Sequence, residues 1–312
     1  QRLNATTTTF SGDIDLGTFA ATDRIATEMA FTETCNGAFA AFDVWGELRT
    51  PLQDRSPWTS ITSSLNDTHS CGIKANGSAW CWGWDGDYAL GNSGFASGLY
   101  SEPSRVVDTG APWTSISVGA NHTCAIQSNG TLWCWGTDAD GQLGNGAATG
   151  LQAQPSQVGT DTDWAQVAAG YANFTCAVKT NGTLWCWGDD TNGQLGNGSS
   201  PSADQISPYL VPDPGPWQKV SAGGYHACGL KTDGSLWCWG LNSYYALGSM
   251  SGTSYLPIKV TNHPDNWVDV SAGFWHTCGI DRTGTAWCWG ADGARLGGYN
   301  ISGNTQVPRR VY

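Results

Sequence analysis

The amino-acid sequence predicts an all-β fold, a single closed β-propeller built from four-stranded blades. The first supporting observation is a segment that begins with cysteine and ends in Trp-Cys-Trp-Gly, and whose copies start 50 to 53 residues apart. A fixed period of this length is typical of repeat architectures, in which each unit buries its apolar face against its neighbours. The second is that four short strands fit into each period. The five copies span residues 71–83, 124–136, 176–188, 228–240 and 278–290.

Residues 112–136 illustrate one repeat. A first strand is predicted over 114–118, where Ile116 and Val118 alternate with serines, and a second over 122–127. Ser-Asn-Gly at 128–130 predicts a tight hairpin turn before a third strand over 131–135. After a Gly-rich stretch that ends in Leu-Gly, Pro-x-x-Val predicts a short outer strand. It occurs at 103–106, 155–158, 208–211, 257–260 and 308–311.

The two cysteines of each copy are ten residues apart, with the predicted turn midway between them. In an antiparallel hairpin this spacing places them opposite each other, within disulfide distance. Zinc binding is the weaker alternative, because CxxC spacing is missing, and no metal or other cofactor is predicted. Cys35 has no partner in its own hairpin, so we expect a buried free thiol or an intermolecular bond. The predicted pairs are Cys71–Cys81, Cys124–Cys134, Cys176–Cys186, Cys228–Cys238 and Cys278–Cys288.

Composition indicates where the protein works. Eleven cysteines, ten of them in regular pairs, predict an oxidising compartment. The sequence starts at Gln1 without a basic and apolar leader, which we interpret as a mature secreted chain, extracellular or at the cell surface. The net charge of -12 argues against nucleic acid and anionic membranes as partners. No apolar run approaches the roughly 18 residues that a membrane span needs, so no membrane insertion is expected.

Asn-x-Ser/Thr sequons predict N-glycosylation. Three of the nine recur at one repeat position, in the predicted exposed hairpin turn. The nine asparagines are Asn4, Asn66, Asn76, Asn121, Asn129, Asn173, Asn181, Asn197 and Asn300.

Several motif parts recur in a constant order: a His-x-Cys strand, Trp-Gly, Gly-Gln-Leu-Gly-x-Gly and Pro-x-x-Val, with the best copies at 136–146 and 188–198. This combination resembles the regulator of chromosome condensation repeat over residues 25–312. The resemblance implies a β-propeller, and known members are usually seven-bladed. Paired cysteines depart from the nuclear members and suit a secreted relative. The family's namesake activity, nucleotide exchange on a nuclear GTPase, is therefore not expected.

Six blades are predicted, at about 52 residues each, with seven as the alternative if residues 1–24 form a further sheet. The first repeat is degenerate, with Cys35, then Val44 at the second cysteine position, then Trp45-Gly46. We expect the last strand, 307–312, to pair with this first blade and close the ring. Residues 1–24 are predicted to be an arm outside the repeat. The predicted cores are 25–46, 57–83, 112–136, 163–188, 216–240 and 266–290.

Two groups of residues are candidates for a site. Four histidines precede the first cysteine of their hairpins by two positions and could form a metal-binding ring, although the resemblance implies a packing role. They are His69, His122, His226 and His276. Aromatic residues that break the repeat could stack on sugars or anchor a protein, with ordinary loop packing as the alternative. They are Trp84, Tyr88, Tyr244, Tyr245, Phe274 and Trp275. Acidic loops at 138–141 and 189–193 resemble calcium loops but lack the required glutamate.

No catalytic motif is present, so we predict that the protein is not an enzyme. The leading hypothesis is a secreted structural or adhesive glycoprotein subunit, which could self-assemble through residues 1–24. The alternative is a soluble binding module, inhibitor-like or lectin-like, that uses one propeller face. The expected partners are protein, glycan or further copies of the chain.

Overall fold

The structure is a computed structural model that describes residues 54, 56–94, 98–148, 150–199, 204–213, 215–249, 252–261, 263, 265–291 and 304–311. By its contacts the chain divides into two compact units, Gln1–Ser56 and Pro57–Tyr312, and the fold below is that of the second. The predicted arm at 1–24, the degenerate repeat at 25–46 and Cys35 lie outside the described residues.

The described residues form five four-stranded antiparallel sheets, here blades 1 to 5, each made of strands that are consecutive in the sequence. Blade 1 contains β1 Trp58–Ser63, β2 His69–Lys74, β3 Ala79–Trp84 and β4 Leu99–Arg105. Blade 2 contains β5 Trp113–Val118, β6 His122–Gln127, β7 Leu132–Asp138 and β8 Gly150–Gln157. Blade 3 contains β9 Trp164–Ala169, β10 Phe174–Lys179, β11 Leu184–Gly188 and β12 Gln205–Leu210. Blade 4 contains β13 Trp217–Ala222, β14 His226–Lys231, β15 Leu236–Gly240 and β16 Ser254–Lys259, and blade 5 contains β17 Trp267–Ala272, β18 His276–Asp281, β19 Ala286–Gly290 and β20 Thr305–Arg310.

The second and third strands of each blade form a hairpin around the predicted turn. In blade 2, Cys124 on β6 is directly opposite Cys134 on β7. Gly130 in the turn has a φ of 78°, and a Cβ there would come within 2.0 Å of the carbonyl oxygen of Thr162, so only glycine fits. The turn residue therefore sets the register that brings the cysteines together.

The apolar core lies between successive blades. Between blades 1 and 2, Leu90 and Val106 pack with Trp113 and Trp135 of the following blade. The other three interfaces repeat this arrangement, with the cysteine pair of one blade against the tryptophans of the next. Each blade thus buries its apolar face only against its neighbours, as a repeat fold requires.

The prediction that the last strand pairs with the first blade was wrong. Strand β20 pairs with β19 of its own blade, with Trp287 opposite Arg310 and Gly290 opposite Thr305. Each Pro-x-x-Val strand is the fourth strand of the blade whose third strand contains the preceding Trp-Cys-Trp-Gly segment. The five copies of one motif therefore match the five copies of the other, and none is left over for the first repeat.

The number of sheets is five in the described residues, not six or seven. The two end blades are less covered than the internal ones: Trp58 of blade 1 is 38% exposed, whereas the equivalent Trp113 is 5% exposed. At the other end, Ile280 of blade 5 is 40% exposed, whereas the equivalent Ile126 is 2% exposed. The outer faces of blades 1 and 5 thus leave apolar side chains partly open.

Across the described part of the chain, no helix has the length and apolar character needed to cross a membrane.

Candidate functional site

Five aromatic rings form a continuous surface on the turns of blades 3, 4 and 5. We call this surface the aromatic platform. Four of its members lie in the turns that join the first and second strands, and the fifth lies in the loop after β15. The members are Tyr171, Tyr225, Tyr244, Phe274 and Trp275.

The rings contact one another in the geometries that aromatic pairs prefer. The ring centroids of Tyr171 and Phe274 are 4.6 Å apart. Tyr225 stacks on Trp275 with centroids 5.0 Å apart and planes inclined by 17°. Tyr244 meets Trp275 edge-on at 5.7 Å and is 48% exposed, while the other four rings are half-buried. The platform is therefore packed within itself and still open to a partner.

Backbone hydrogen bonds between blades hold the platform in place. The amide of Tyr171 donates to the carbonyl of Gly223 at 3.1 Å, and the amide of Gly224 donates to that of Gly273 at 3.1 Å. A Cβ on Gly224 would lie 2.3 Å from the carbonyl oxygen of Phe274, so this close approach needs glycine. Fixed turns make a surface that loses little conformational entropy on binding.

Blades 1 and 2 have no aromatic residue in the equivalent turns. There the chain has Asp67-Thr68 and Ala120-Asn121 in place of Tyr225 or Phe274-Trp275. A residue that the repeat needs for packing would recur in every blade. The aromatic residues of blades 3 to 5 are thus an addition to the repeat.

Carboxylates lie beside the platform. The side-chain amide of Asn173, in the same turn as Tyr171, donates to Oδ2 of Asp140 at 2.8 Å, and the amide of Asp189 donates to the carbonyl of Asn173 at 2.9 Å. Burial, then Tyr171 and the negative charge of Asp189, raise the pKa of Tyr225.

A third carboxylate, Asp204, completes this rim. Its pKa is raised by burial and by the negative charges of Asp189 and Asp140. Among the described residues, none of these three carboxylates forms an ion pair with a cationic side chain. The rim therefore has negative charge that the described chain does not neutralise.

Three of the four predicted histidines are buried and contact a threonine of the next blade; we call each such contact a joint. Nε2 of His122 lies 3.0 Å from Oγ1 of Thr175, and that hydroxyl donates to the carbonyl of Gln142 at 2.9 Å. Because the hydroxyl donates there, it accepts from His122 Nε2–H. Nε1 of Trp187 donates to the same carbonyl at 2.9 Å.

The same joint occurs where His69 meets Thr123 and where His226 meets Thr277. Burial lowers the pKa of His69 to about 4 and the pKa values of His122 and His226 to about 3, while the pKa of His276 is also lowered by burial. These contacts support the packing interpretation. Within the described ranges no group of three or more potential metal ligands comes together.

The acidic loops hold the Gly-rich turns. Oδ1 of Asp138 accepts from the amide of Leu143 at 3.1 Å, and Oδ1 of Asp190 accepts from that of Leu195 at 3.1 Å. Both carboxylates are buried and are used inside the turn.

Three predicted aromatic candidates lie outside the platform. Tyr88 and Tyr245 occupy the turn position that is Gly141 and Gly193 in blades 2 and 3, with φ values of 58° and 68°. Trp84, at the end of β3, is 48% exposed.

The sequons recurring in the hairpin turns have a structural use. Oδ1 of Asn129 accepts from Thr131 Oγ1 at 2.7 Å, and Thr131 Oγ1 accepts from Nε1 of Trp133 at 2.8 Å. Asn76 and Asn181 head the same arrangement in blades 1 and 3. In blade 4 Asp233 replaces the asparagine without changing the contacts. The recurrence is thus explained by the fold, and glycosylation stays a prediction.

The sequon asparagines differ in exposure. The three in the hairpin turns, Asn76, Asn129 and Asn181, are exposed, whereas Asn66 and Asn121 are half-buried. The side-chain amides of two further half-buried sequon asparagines donate to carboxylates, Asn173 to Asp140 and Asn197 to Asp190. Asn4 and Asn300 lie outside the described residues.

Each predicted cysteine pair forms a disulfide across its hairpin, with Cα atoms 4.0 to 4.1 Å apart. Four of the pairs are fully buried between blades. The fifth, Cys278–Cys288 in the end blade, is slightly more open.

The structure brings three of the six aromatic candidates together, Tyr244, Phe274 and Trp275, and adds Tyr171 and Tyr225, which were not candidates. The signal for the missed pair is present: aligning the turn before the second strand across five repeats gives an aromatic residue only in blades 3 to 5.

Comparison with known proteins gives a consistent result. The RCC1-like domain profile matches residues 46–311. The mitochondrial RCC1 domain-containing protein RUG3 of Arabidopsis thaliana is 32% identical over 199 residues, which cover 60% of this chain and 43% of that protein. The human probable E3 ubiquitin-protein ligase HERC6 is 30% identical over 209 residues, which cover 64% of this chain and 20% of that protein. The matches span less than half the length of these curated relatives.

Among solved structures, yeast RCC1 (Prp20) in complex with Kap60 superposes with a TM-score of 0.71 at 21% identity, covering 84% of this chain and 62% of that one. At this identity the likeness establishes the fold alone: the five sheets are blades of an RCC1-type β-propeller.

Proposed function

Because this chain belongs to the RCC1-like domain family, we propose that it is a non-catalytic protein-binding β-propeller whose partner contacts the aromatic platform. The observation that carries the proposal is the restriction of the platform to three of five otherwise equivalent turns. Tyrosine and tryptophan are the residues that most often dominate binding energy at protein interfaces. A protein relative in the family, yeast RCC1, has been solved bound to Kap60, which supports a protein as the partner class.

The proposal that the chain is not an enzyme draws on its histidines. His122 and His226 have pKa values lowered to about 3 by burial, and each is hydrogen-bonded to a threonine. Side chains in that state are poor general acids or bases at neutral pH.

We also propose that the protein works in an oxidising compartment, secreted or at the cell surface. Five internal disulfides support this, because such bonds persist where thiols are not kept reduced. Expression with and without a secretion signal tests it. We expect five disulfides and a cooperative unfolding transition only for the secreted protein, and equal folding of the reduced cytosolic protein would oppose the proposal.

The structural or adhesive subunit remains a second candidate. It depends on the arm at 1–24 and on Cys35, which lie outside the described residues, so the binding module is the function that the described geometry supports better.

The binding function is tested by comparing proteins retained from the native extracellular medium by the wild type and two variants. Phe274→Ala combined with Trp275→Ala should lose the specific partner, since both rings belong to the platform. Trp84→Ala is the matched control, because Trp84 is an exposed aromatic residue of blade 1 away from the platform. Retention by all three proteins would overturn the assignment of the platform.

A further inference from the structure

We propose that the aromatic platform and the carboxylates beside it bind an arginine side chain presented by the partner protein. This inference rests on the proposed binding function and specifies what the platform recognises.

Geometry places the two components side by side. The turn containing Tyr171 and Asn173 carries a platform ring and also contacts Asp140 and Asp189 through hydrogen bonds of 2.8 and 2.9 Å. Tyr225, the central ring of the platform, is close enough to Asp189 for that charge to act on its hydroxyl. Asp140 and Asp189 therefore lie in loops that adjoin the turn of Tyr171, and the Asp189 carboxylate also accepts from Gln194 Nε2 at 2.7 Å.

Charge favours a cation at this position. Asp204 is exposed at the rim, and its pKa is raised first by partial burial and then by the negative charges of Asp189 and Asp140. A bound cation would relieve this repulsion. Among the described residues no lysine or arginine approaches a platform ring. The net charge of -12 would also speed the approach of a basic segment.

The chain already holds its own cations in this way. Nζ of Lys179 lies 4.7 Å from the ring centroid of Trp164, 5.2 Å from that of Trp185 and 2.5 Å from Oδ2 of Asp161. Lys231 is held in the same manner by two tryptophans and Asp213. At the platform the rings and carboxylates are present and the described chain supplies no cation.

Arginine fits this surface better than lysine. Its planar guanidinium stacks on aromatic faces and also donates two parallel hydrogen bonds to a carboxylate. Lysine presents a compact, strongly hydrated charge that does neither as well. The flat stack of Tyr225 on Trp275 gives the partner a face on which to place the guanidinium.

The test uses the full chain and a blocked peptide of four Gly-Arg repeats, with the same peptide containing citrulline as the neutral, isosteric control. Binding is followed by calorimetry and NMR. We expect the citrulline peptide to bind at least tenfold more weakly, and a lysine peptide to lie in between.

Two matched pairs of variants locate the site. Asp204→Asn and Tyr244→Ala should each weaken binding of the arginine peptide severalfold, since both side chains are exposed and their loss leaves the blades intact. Asp108→Asn and Trp84→Ala, an exposed carboxylate and an exposed ring of blade 1, should leave it unchanged. Equal binding of arginine and citrulline peptides, or equal effects of both pairs, would overturn the inference.

The same variants separate this inference from the proposed function. If Asp204→Asn combined with Asp189→Asn leaves partner retention intact while Phe274→Ala with Trp275→Ala abolishes it, the platform binds a protein but not through arginine. If neither changes retention, the proposed function fails together with the inference.

Discussion

Nε2 of His122 lies 3.0 Å from Oγ1 of Thr175, and this contact joins the second strand of blade 2 to the second strand of blade 3. Both side chains are fully buried, and the threonine hydroxyl also donates to Gln142 of the preceding blade. A buried polar contact of this kind stabilises only while every member is paired.

Thr175→Val should therefore destabilise the protein by about 1–3 kcal/mol, because His122 Nε2–H would lose its acceptor without a water to replace it. Denaturant unfolding measures the change. Thr114→Val is the control: its hydroxyl donates to the carbonyl of Ile126 from an exposed position, so we expect a change of less than about 0.5 kcal/mol. Equal losses in both variants would show that the joint adds nothing.

Acid should weaken the fold below neutral pH. Burial lowers the pKa of His69 to about 4 and those of His122 and His226 to about 3, below their ordinary value of 6.5. Between these limits the unfolded chain binds more protons than the folded one, so the free energy of unfolding falls as pH falls. The slope is up to about 1.4 kcal/mol per pH unit for each histidine, and it ends near the folded pKa values.

Unfolding measured between pH 7 and pH 5 tests this before most carboxylates titrate. His122→Gln keeps a donor toward Thr175 and removes one titrating group, so its slope should be shallower than that of the wild type. A pH-independent wild type would contradict the burial of these histidines.

Removing one disulfide should lower stability without changing the fold of its hairpin. For Cys124→Ala combined with Cys134→Ala, the expected loss is about 2–3 kcal/mol, since a loop of this length is no longer closed in the unfolded state. The same pair of substitutions at Cys278 and Cys288, in the less covered end blade, should leave a smaller cavity and cost no more. Urea titration of both proteins makes the comparison, and a larger loss at the end blade would contradict it.

Two substitutions distinguish the role of Asn129 in glycosylation from its role in stabilising the turn. Asn129→Asp removes the sequon but keeps the acceptor that Asp233 supplies in blade 4, so stability should change by less than about 0.5 kcal/mol. Thr131→Val also removes the sequon but takes away the acceptor of Trp133 Nε1, and should cost about 1 kcal/mol. Intact mass of the secreted proteins reports the glycan. The same mass for wild type and Asn129→Asp would mean that this site carries none.

Tyr245→Gly should stabilise the protein by up to about 1 kcal/mol. Tyr245 has a φ of 68°, a conformation that costs a residue with a Cβ about 1–2 kcal/mol, and blades 2 and 3 have glycine there. Part of the gain is offset by the greater freedom of glycine in the unfolded state. Thermal unfolding of Tyr245→Gly and Tyr245→Ala tests this. An alanine variant as stable as the glycine variant would contradict the explanation that the positive φ destabilises a residue with a Cβ.

Local features of the fold were predictable because short segments determine them. The ten-residue spacing of Cys124 and Cys134 around an Asn-Gly turn defines both the hairpin and the disulfide. The pairing of β20 was predicted wrongly, because its sequence could pair equally well with the third strand of any blade. Matching each Pro-x-x-Val to the preceding Trp-Cys-Trp-Gly would have resolved it.

Three of the five platform residues were candidates from the sequence, and the other two were not, for a related reason. Tyr171 and Phe274 are about a hundred residues apart in the chain and meet at 4.6 Å because their blades bring equivalent turns to one end. A scan for residues that break the repeat finds Phe274, whose turn also contains Trp275. It overlooks Tyr171, whose turn differs in length and ends in phenylalanine where the other blades have histidine.

The shared carbonyl at each joint has a wider consequence. Gln142 accepts from Thr175 and Trp187 of the next blade, and Ala89 and Ala246 accept from the same two residue types. Three of the four boundaries between described blades thus use the same pair of hydrogen bonds, in the same direction along the chain. Between blades 3 and 4 the carbonyl of Gln194 accepts from Trp239, and Ala227 stands where the other blades have threonine. A duplicated blade could donate these hydrogen bonds to the blade before it and accept them from the blade after it. Loss of one blade would bring together two blades that can form the same contacts. The contacts between neighbouring blades therefore do not by themselves limit the number of blades.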